Sequence, residues 1–235
     1  MAMRMASEPG GISTILGTFY ERDFGVQQLL WLATGQLRRL KWQPRTDGAG
    51  GADIEFEEKD GIVVHLQLKR QNAGKVKWTV AELRAQSIFD AAAAWLDRGS
   101  GYHFGIASSV AAEGLKDICD QLQYFDGSDL ANLKAQMEGE DVRKKAWKDV
   151  FEAWGLTSDN PSHVEIVVAR LRRLRLVLLS RSQDQRDSVT VLAELVFSGD
   201  PAATVKHLAA FLESRLGRDI SASDVVAIWG NWGSP

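Results

Sequence analysis

The sequence predicts an α/β fold: a mixed β-sheet core flanked by helices, followed by a mainly helical C-terminal extension. Three observations carry this reading. First, polar and apolar residues alternate strictly in Asp53-Ile54-Glu55-Phe56-Glu57 and again in Val64-His65-Leu66-Gln67-Leu68-Lys69. Period two is the signature of strands, and Asp60-Gly61 between them makes the pair a β-hairpin. Second, Thr79 to Asp97 has helical periodicity, with Thr79 as N-cap, Glu82 three residues on, and the helix-favouring run Ala91–Ala94. Third, a short β-like run from Tyr102 to Ala107 precedes a helix from about Ala111 to Leu122. Strand–strand–helix–strand–helix is an α/β order with a mixed sheet.

The remaining elements follow in chain order. Residues 1–12 read as a loose tail that ends in Pro9-Gly10-Gly11. From Ser13 to about Leu37, Phe19, Phe24, Leu29, Leu30, Leu32 and Ala33 suit a helix, with Gly17 and Gly25 as weak points. A short strand fits Leu40–Gln43, and Arg45 to Gly51 is rich in turn residues. Residues 129–154 look helical, with Trp147, Val150, Phe151 and Trp154 as an apolar stripe that Asn160-Pro161 breaks. Val164–Arg173 forms another helix, and Leu174–Leu179 fits strand or helix. Two more helices fit 184–197 and 201–216, the second with Pro201 at its first position. The expected organisation is a tail (1–12), a core (13–128) and a mainly helical extension (129–235) packed on that core.

Composition narrows the function. The 235 residues are 45% hydrophobic and 25% charged, which excludes wholesale disorder. A lone cysteine, Cys119, excludes a disulfide framework and a cysteine-rich zinc site, and the four histidines lack paired ligand spacing. No apolar run reaches the roughly 18 residues of a membrane span, and the N-terminus lacks a signal-peptide core, so a cytoplasmic setting without a membrane partner is expected. No P-loop motif occurs, the Gly-rich run 48–51 precedes a strand and not a helix, and Ser108-Ser109 lacks a nucleophile elbow. The net charge of −3 argues against a nucleic-acid partner only as an average. Residues 36–80 carry nine Lys/Arg against six Asp/Glu, 104–141 two against eight, and 142–181 nine against four. Such segregation permits a basic surface on an acidic protein.

The hairpin is the chemical candidate. Its apolar faces should merge into the core, so the faces carrying Asp53, Glu55 and Glu57 and carrying His65, Gln67 and Lys69 must coincide. This requires an odd-length loop or a bulge, because a two-residue Asp60-Gly61 turn would pair Asp53 with Leu68 and bury the carboxylate. Carboxylate, amide and carbonyl oxygens are the hard ligands Mg²⁺ prefers, with Mn²⁺ a workable substitute. Asp53 would be the main metal ligand, Gln67 and the Leu68 carbonyl would complete the shell, and Lys69 would orient water or neutralise charge on phosphorus. Arg70, Lys75 and Lys77, after the second strand, suit contacts to a phosphate backbone.

Gly51-Ala52-Asp53 followed by Leu66-Gln67-Leu68-Lys69 resembles the D…(E/Q)xK signature of the PD-(D/E)XK nuclease superfamily, in its Mrr-like branch with a D…QxK motif. The resemblance covers roughly residues 13–125 and implies a restriction-endonuclease-like core. It also implies that Glu21, in Phe19-Tyr20-Glu21-Arg22-Asp23, is the helical glutamate such nucleases often add to the metal site. The likeness extends to the N-terminal nuclease effectors of bacterial anti-phage proteins that carry a STAND-type NTPase or a cyclic-nucleotide sensor. What it implies is a Mg²⁺-dependent endonuclease acting on double-stranded DNA with little sequence specificity. Activation would come from assembly into dimers or tetramers, driven by a sensor or NTPase module on the same or a partner chain. The sequence departs from the family in lacking a Pro before Asp53 and in carrying Gln67 where other branches have Glu.

Plainer readings stand beside these. Alternating charges are ordinary on an exposed hairpin face, so Glu55 and Glu57 are expected to be solvated rather than ligating. Glu21 could form a surface salt bridge with its neighbours, His65 could be structural or contact DNA, and Trp78 could be core. Arg170, Arg172, Arg173 and Arg175 could form a second DNA-facing strip or a solvated helix face. The rival overall is a nuclease-type fold retained for DNA binding or oligomerisation without catalysis.

Overall fold

The computed structural model describes residues 10–43, 53–69, 76–125, 129–179 and 182–232. In chain order the elements begin with α1 (Gly10–Ala33), β1 (Leu37–Trp42), β2 (Ile54–Glu58) and β3 (Val63–Lys69). Then come α2 (Val80–Ala85), α3 (Ile88–Leu96), β4 (Tyr102–Ser108), α4 (Glu113–Gln123), α5 (Leu130–Glu138), α6 (Asp141–Ala153) and α7 (Pro161–Leu171). The chain continues with β5 (Leu174–Leu178), α8 (Ser182–Val196), α9 (Pro201–Ser214), β6 (Asp219–Ile220) and α10 (Ala222–Trp232). The fold is α/β with one mixed sheet ordered β5-β4-β3-β2-β1-β6. β4 runs parallel to both β3 and β5, and the other pairings are antiparallel. Residues 1–9 of the expected tail lie outside the described residues, and the helix that follows already begins at Gly10.

The hairpin has the geometry its pattern demands. Glu55 pairs with His65 and Phe56 with Val64, so the polar sets share one face. The loop holds three residues: Gly61 N–H bonds the Glu58 carbonyl (3.0 Å), Glu58 N–H bonds Ile62 (2.9 Å), and Gly61 takes φ +87°. A turn closed by a left-handed residue is the usual three-residue hairpin loop, and glycine enters that region without a Cβ clash.

Parallel pairing needs long crossovers, and these cover the face that alternation alone leaves open to water. α2 and α3 connect β3 to β4, and α4–α7 connect β4 to β5. Their apolar residues, including Leu83, Leu96, Ile118, Trp147 and Val167, form one core with Phe104, Ile106 and Leu174 of the sheet. The opposite face, with Ile54, Phe56, Val64 and Leu66, packs against α1, α8, α9 and α10. The polar face of β3 is therefore buried. His65 is 3% exposed and lies 4.2 Å from the Trp95 ring centroid, so it is structural.

Several helices differ from the sequence reading for local reasons. The Thr79 capping box forms as expected, but Ser87 at φ +56° divides the helix over 79–97 into α2 and α3. Gly139-Glu140 divides 129–154 into α5 and α6. Pro161 opens α7 at its first turn behind an Asn160 cap, where its missing N–H costs nothing. Leu174–Leu178 is strand β5, and the sequence reading missed β6 and α10. Of the Trp147 stripe, Trp154 is only half-buried.

Gly25, a weak point by helix propensity, is a packing requirement. A Cβ there would sit 2.4 Å from Leu212 Cδ2 and 2.6 Å from the Trp42 ring. Alanine would gain about 1 kcal/mol of helix propensity, but crowding against a rigid indole costs roughly 1–3 kcal/mol. Gly25→Ala is expected to lower the urea midpoint of unfolding. A raised midpoint would show that α1 does not need this close approach.

Candidate active site

Asp53 stands where β2 begins and the hairpin ladder ends. Its N–H bonds the Leu66 carbonyl at 3.1 Å, and its Oδ2 accepts the Leu68 N–H at 2.5 Å. The carboxylate is thus fixed by the backbone of the strand that carries Gln67 and Lys69. Through these two bonds Asp53 holds the residues on either side of Gln67, which is 5% exposed. Lys69 closes β3 beside Ser108 of β4.

α1 adds Glu21 to this end of the hairpin. Its carboxyl is raised from the ordinary value to about 7, by burial first and by the Asp53 charge second, against Lys69, which lowers it. Asp53 is also raised by burial, against the Leu68 N–H and Lys69, which lower it. Burial lowers Lys69, while Asp53 and Glu21 raise it. Each of the three therefore feels the others, apart from a resolved effect of Glu21 on Asp53. Two desolvated carboxylates beside one ammonium form a small charged cluster at the strand ends.

The structure brings together Glu21, Asp53, Gln67 and Lys69 and draws the other candidates away. Glu55 bonds Arg39 of β1 at 3.2 Å, and Glu57 lies 3.5 Å from Arg38 and 3.7 Å from Arg39. Glu55 and Glu57 belong to a cross-strand ion ladder that Asp219 of β6 extends by bonding Arg39 at 2.9 Å. Arg22, its chain neighbour, lies 4.0 Å from Asp23 and 4.0 Å from Glu213, and no Glu21–Arg22 ion pair occurs among the described residues.

The four-arginine strip is a correction: its guanidinium groups hold the protein together. Arg170 grips Asp97 at 3.1 and 2.7 Å, and Arg175 grips Glu58 at 2.7 and 2.8 Å. Arg172 donates to the Leu122 and Phe125 carbonyls, and Arg173 to Leu96 (2.5 Å) and Gly99 (2.6 Å). The bonds of Arg172 and Arg173 tie the ends of α4 and α3 and the loops after them to the end of α7. Of the three expected phosphate contacts, Arg70 and Lys75 lie outside the described residues. Lys77 is exposed, 3.9 Å from Glu113. Trp78 is core and donates to the buried Ser108 hydroxyl at 2.9 Å, which occupies that serine structurally.

Among the described residues, no group of three or more His, Cys, Asp or Glu side chains forms a metal cage. The donor set that does assemble is two carboxylates and an amide, with the Leu68 backbone adjacent. These are hard oxygen donors, and a divalent cation would relieve the repulsion that raises Glu21. The residues fit Mg²⁺ on both counts.

No family model matches the sequence, and no curated protein matches it. Solved structures match in fold. The Cap4 SAVED/CARF-domain containing receptor of Moraxella osloensis superposes with TM-score 0.52 at 12% identity, over 91% of this chain and 46% of that one. The Cap4 receptor of Acinetobacter baumannii gives 0.51 at 9% identity, over 97% of this chain and 47% of that one. The same receptor with the cyclic trinucleotide 3'3'3'-cAAA gives 0.48 at 9% identity, over 97% and 45%, too loose to carry an argument. The chain spans about half the length of the structures it matches. No helix among the described residues is long and apolar enough to cross a membrane.

The charges give a titration. A carboxyl raised in the folded state binds its proton more tightly there, so its contribution favours folding at low pH. That contribution is lost as pH rises from the ordinary glutamate range through about 7. In metal-free protein the Glu21 carboxyl, followed by carbon-detected NMR, is expected to titrate near neutral pH. Asp53→Asn should move that titration down, and Lys69→Met should move it up. A Glu21 midpoint indifferent to both substitutions would show that the cluster does not exist in solution.

Proposed function

We propose that this chain is the metal-dependent endonuclease domain of a bacterial anti-phage defence protein, hydrolysing phosphodiester bonds of double-stranded DNA with little sequence preference. The observation that carries the reading is the convergence of Glu21, Asp53 and Lys69 at the end of a hairpin, with Asp53 bonded to the residues on either side of Gln67. Arranged in this way, the residues match the D…QxK motif and its helical glutamate. The defence setting is supported by the shared fold with Cap4 receptors, which at this identity is a likeness of fold alone.

Glu21, Asp53 and Gln67, with the Leu68 carbonyl, would hold Mg²⁺ or Mn²⁺. Such an ion polarises a phosphoryl oxygen and acidifies bound water. The Leu68 N–H holds Asp53 Oδ2 and orients its carboxylate. Lys69, with its proton favoured by both carboxylates, neutralises charge developing on the phosphate or positions the attacking water. Gln67 contributes an oxygen without charge, so the donor set bears one negative charge fewer than with glutamate. Weak metal affinity follows, and with it a need for assembly into dimers or tetramers under a sensor or NTPase module. The basic residues Arg70, Lys75 and Lys77 lie next along the chain to follow the DNA backbone.

The deciding experiment is cleavage of supercoiled plasmid across Mg²⁺, Mn²⁺ and chelator. Wild type is expected to nick only with metal. Asp53→Ala and Lys69→Ala should each lower the rate by about 10²-fold or more, with unchanged far-UV spectra. Metal-independent cleavage or a fully active Lys69→Ala protein would overturn the reading. DNA binding without cleavage under any assembly state would favour the non-catalytic module.

A further inference from the structure

The two edges of the sheet are built differently. β6 ends one side with only Asp219 and Ile220, and the Asp219 carboxylate is held by Arg39 of β1. A short, charged edge is a usual guard against pairing with another chain. β5 ends the other side with Leu174-Arg175-Leu176-Val177-Leu178, a strand without Pro or Lys that pairs with β4 without a bulge. Its one charge is turned inward, because both Arg175 terminal nitrogens bond Glu58, at 2.7 and 2.8 Å. Val177 is 36% and Leu178 67% exposed, so apolar side chains reach solvent along this edge.

The bonds to β4 fix which backbone groups of β5 are left over. Phe104 N–H bonds the Arg173 carbonyl at 3.1 Å, and Leu179 N–H bonds the Ser108 carbonyl at 2.8 Å. Odd-numbered residues of β5 therefore face β4. The N–H and C=O groups of Leu174, Leu176 and Leu178 point outward, with no backbone partner among the described residues. Leu174 and Leu176 pack on the α2–α7 core, and Leu176 and Leu178 border a groove lined by Trp78, Ile106 and Val110.

We infer that β5 pairs antiparallel with β5 of a second copy of this chain, about a two-fold axis at Leu176, so that one sheet runs through both molecules. The strand is self-complementary, as such an axis requires. Leu176 meets Leu176 of the second copy and Leu174 meets Leu178. Each of these pairs exchanges two backbone hydrogen bonds, which satisfies every outward group of the strand. The leucines meet across the seam on one face and cover the groove, while Arg175 meets Val177 on the other, so no like charges are opposed. Centring on Arg175 would set two guanidinium groups against each other, and centring on Val177 would leave Leu174 without a partner in the strand. The seam is about 17 Å long, so the dimer is a weak one that forms as concentration rises. β3, β4 and β5 run parallel, and the axis reverses them in the second copy. The two Lys69 ends then lie on opposite sides of the joint sheet, and no residue of the Asp53 cluster enters the seam. The inference is independent of the hydrolytic reading.

The test is sedimentation equilibrium of the full chain from micromolar to millimolar concentration, without metal or DNA. Wild type and Asp53→Ala are expected to dimerise alike. Val177→Lys sets an ammonium opposite Arg175 at both ends of the seam and should weaken the dimer by about tenfold. Leu178→Lys, at the most exposed position of the strand, serves in its place if Val177→Lys does not fold. Mild oxidation reads the register. Leu176→Cys should give a disulfide-linked dimer, since Cα atoms of a hydrogen-bonded antiparallel pair lie about 5.5 Å apart. Leu178→Cys should not, since its two copies would be roughly 14 Å apart. The native Cys119 is buried and does not compete. A chain that is monomeric at millimolar concentration would overturn the inference and leave this edge to a strand of another protein. So would a dimer that the lysine leaves intact, or one that Leu176→Cys fails to cross-link.

Discussion

The register of one hairpin governs which side chains in this protein can meet. With three residues between Glu58 and Ile62, Glu55 faces His65, and beyond the ladder Asp53 bonds Leu66 and Leu68, on either side of Gln67. A loop one residue shorter would turn every side chain of β3 to the other face. Lys69 and Gln67 would then point into the packing of α1, while Val64 and Leu66 would enter the core built by α2–α7. The exchange would set an ammonium and an amide among aliphatic side chains without partners, a cost that fixes the register. The left-handed Gly61 that permits the three-residue loop is therefore coupled to the whole sheet.

Placement of β3 as a central strand has an electrostatic consequence. It pairs antiparallel with β2 and parallel with β4, and both of its faces are covered. Its two ends, Val63 and Lys69, are half-buried, and of the two only Lys69 carries a charge. Charge is consequently confined to the strand ends, where burial is partial and where Glu21 can approach from α1. Elsewhere on the same face, Glu55 and Glu57 are neutralised by Arg38 and Arg39. The net charge of −3 does not describe this region, because the acidic groups nearest Asp53 along β2 are already paired.

Much of this was legible in sequence, and the reasons differ by element. Strict alternation plus Asp60-Gly61 determined the hairpin and even the parity of its loop, because side-chain direction in a strand is purely local. Capping at Thr79, Asn160 and Asp200 is likewise local, and those helix starts lie where the side chains place them. Illegible were properties that depend on distant chain. His65 reads as structural or DNA-contacting until Trp95 and Phe104 are known to lie against it. Arg170–Arg175 reads as a basic strip, although its partners lie 47 to 117 residues away. β6 is two residues long, too short for any period to register. Gln28 looks like an ordinary polar position on an amphipathic helix, and nothing in the sequence marks it as sealed from water.

The protonation of Glu21 connects fold to function. A glutamate titrating near 7 is only partly charged in metal-free protein at neutral pH, whereas a cation needs it ionised. On the proposed reading, metal uptake would then release a proton, and affinity would fall as pH drops below neutrality. Replacing Gln67 by a carboxylate would strengthen the metal's attraction but would also raise Glu21 and Asp53 further, since like charges in a shared site disfavour ionisation. The neutral amide limits that repulsion to two carboxylates, which the single Lys69 ammonium offsets in part. On the proposed nuclease reading, a site with this charge balance would bind the ion weakly, and a second event, such as assembly around DNA, would decide when it is loaded.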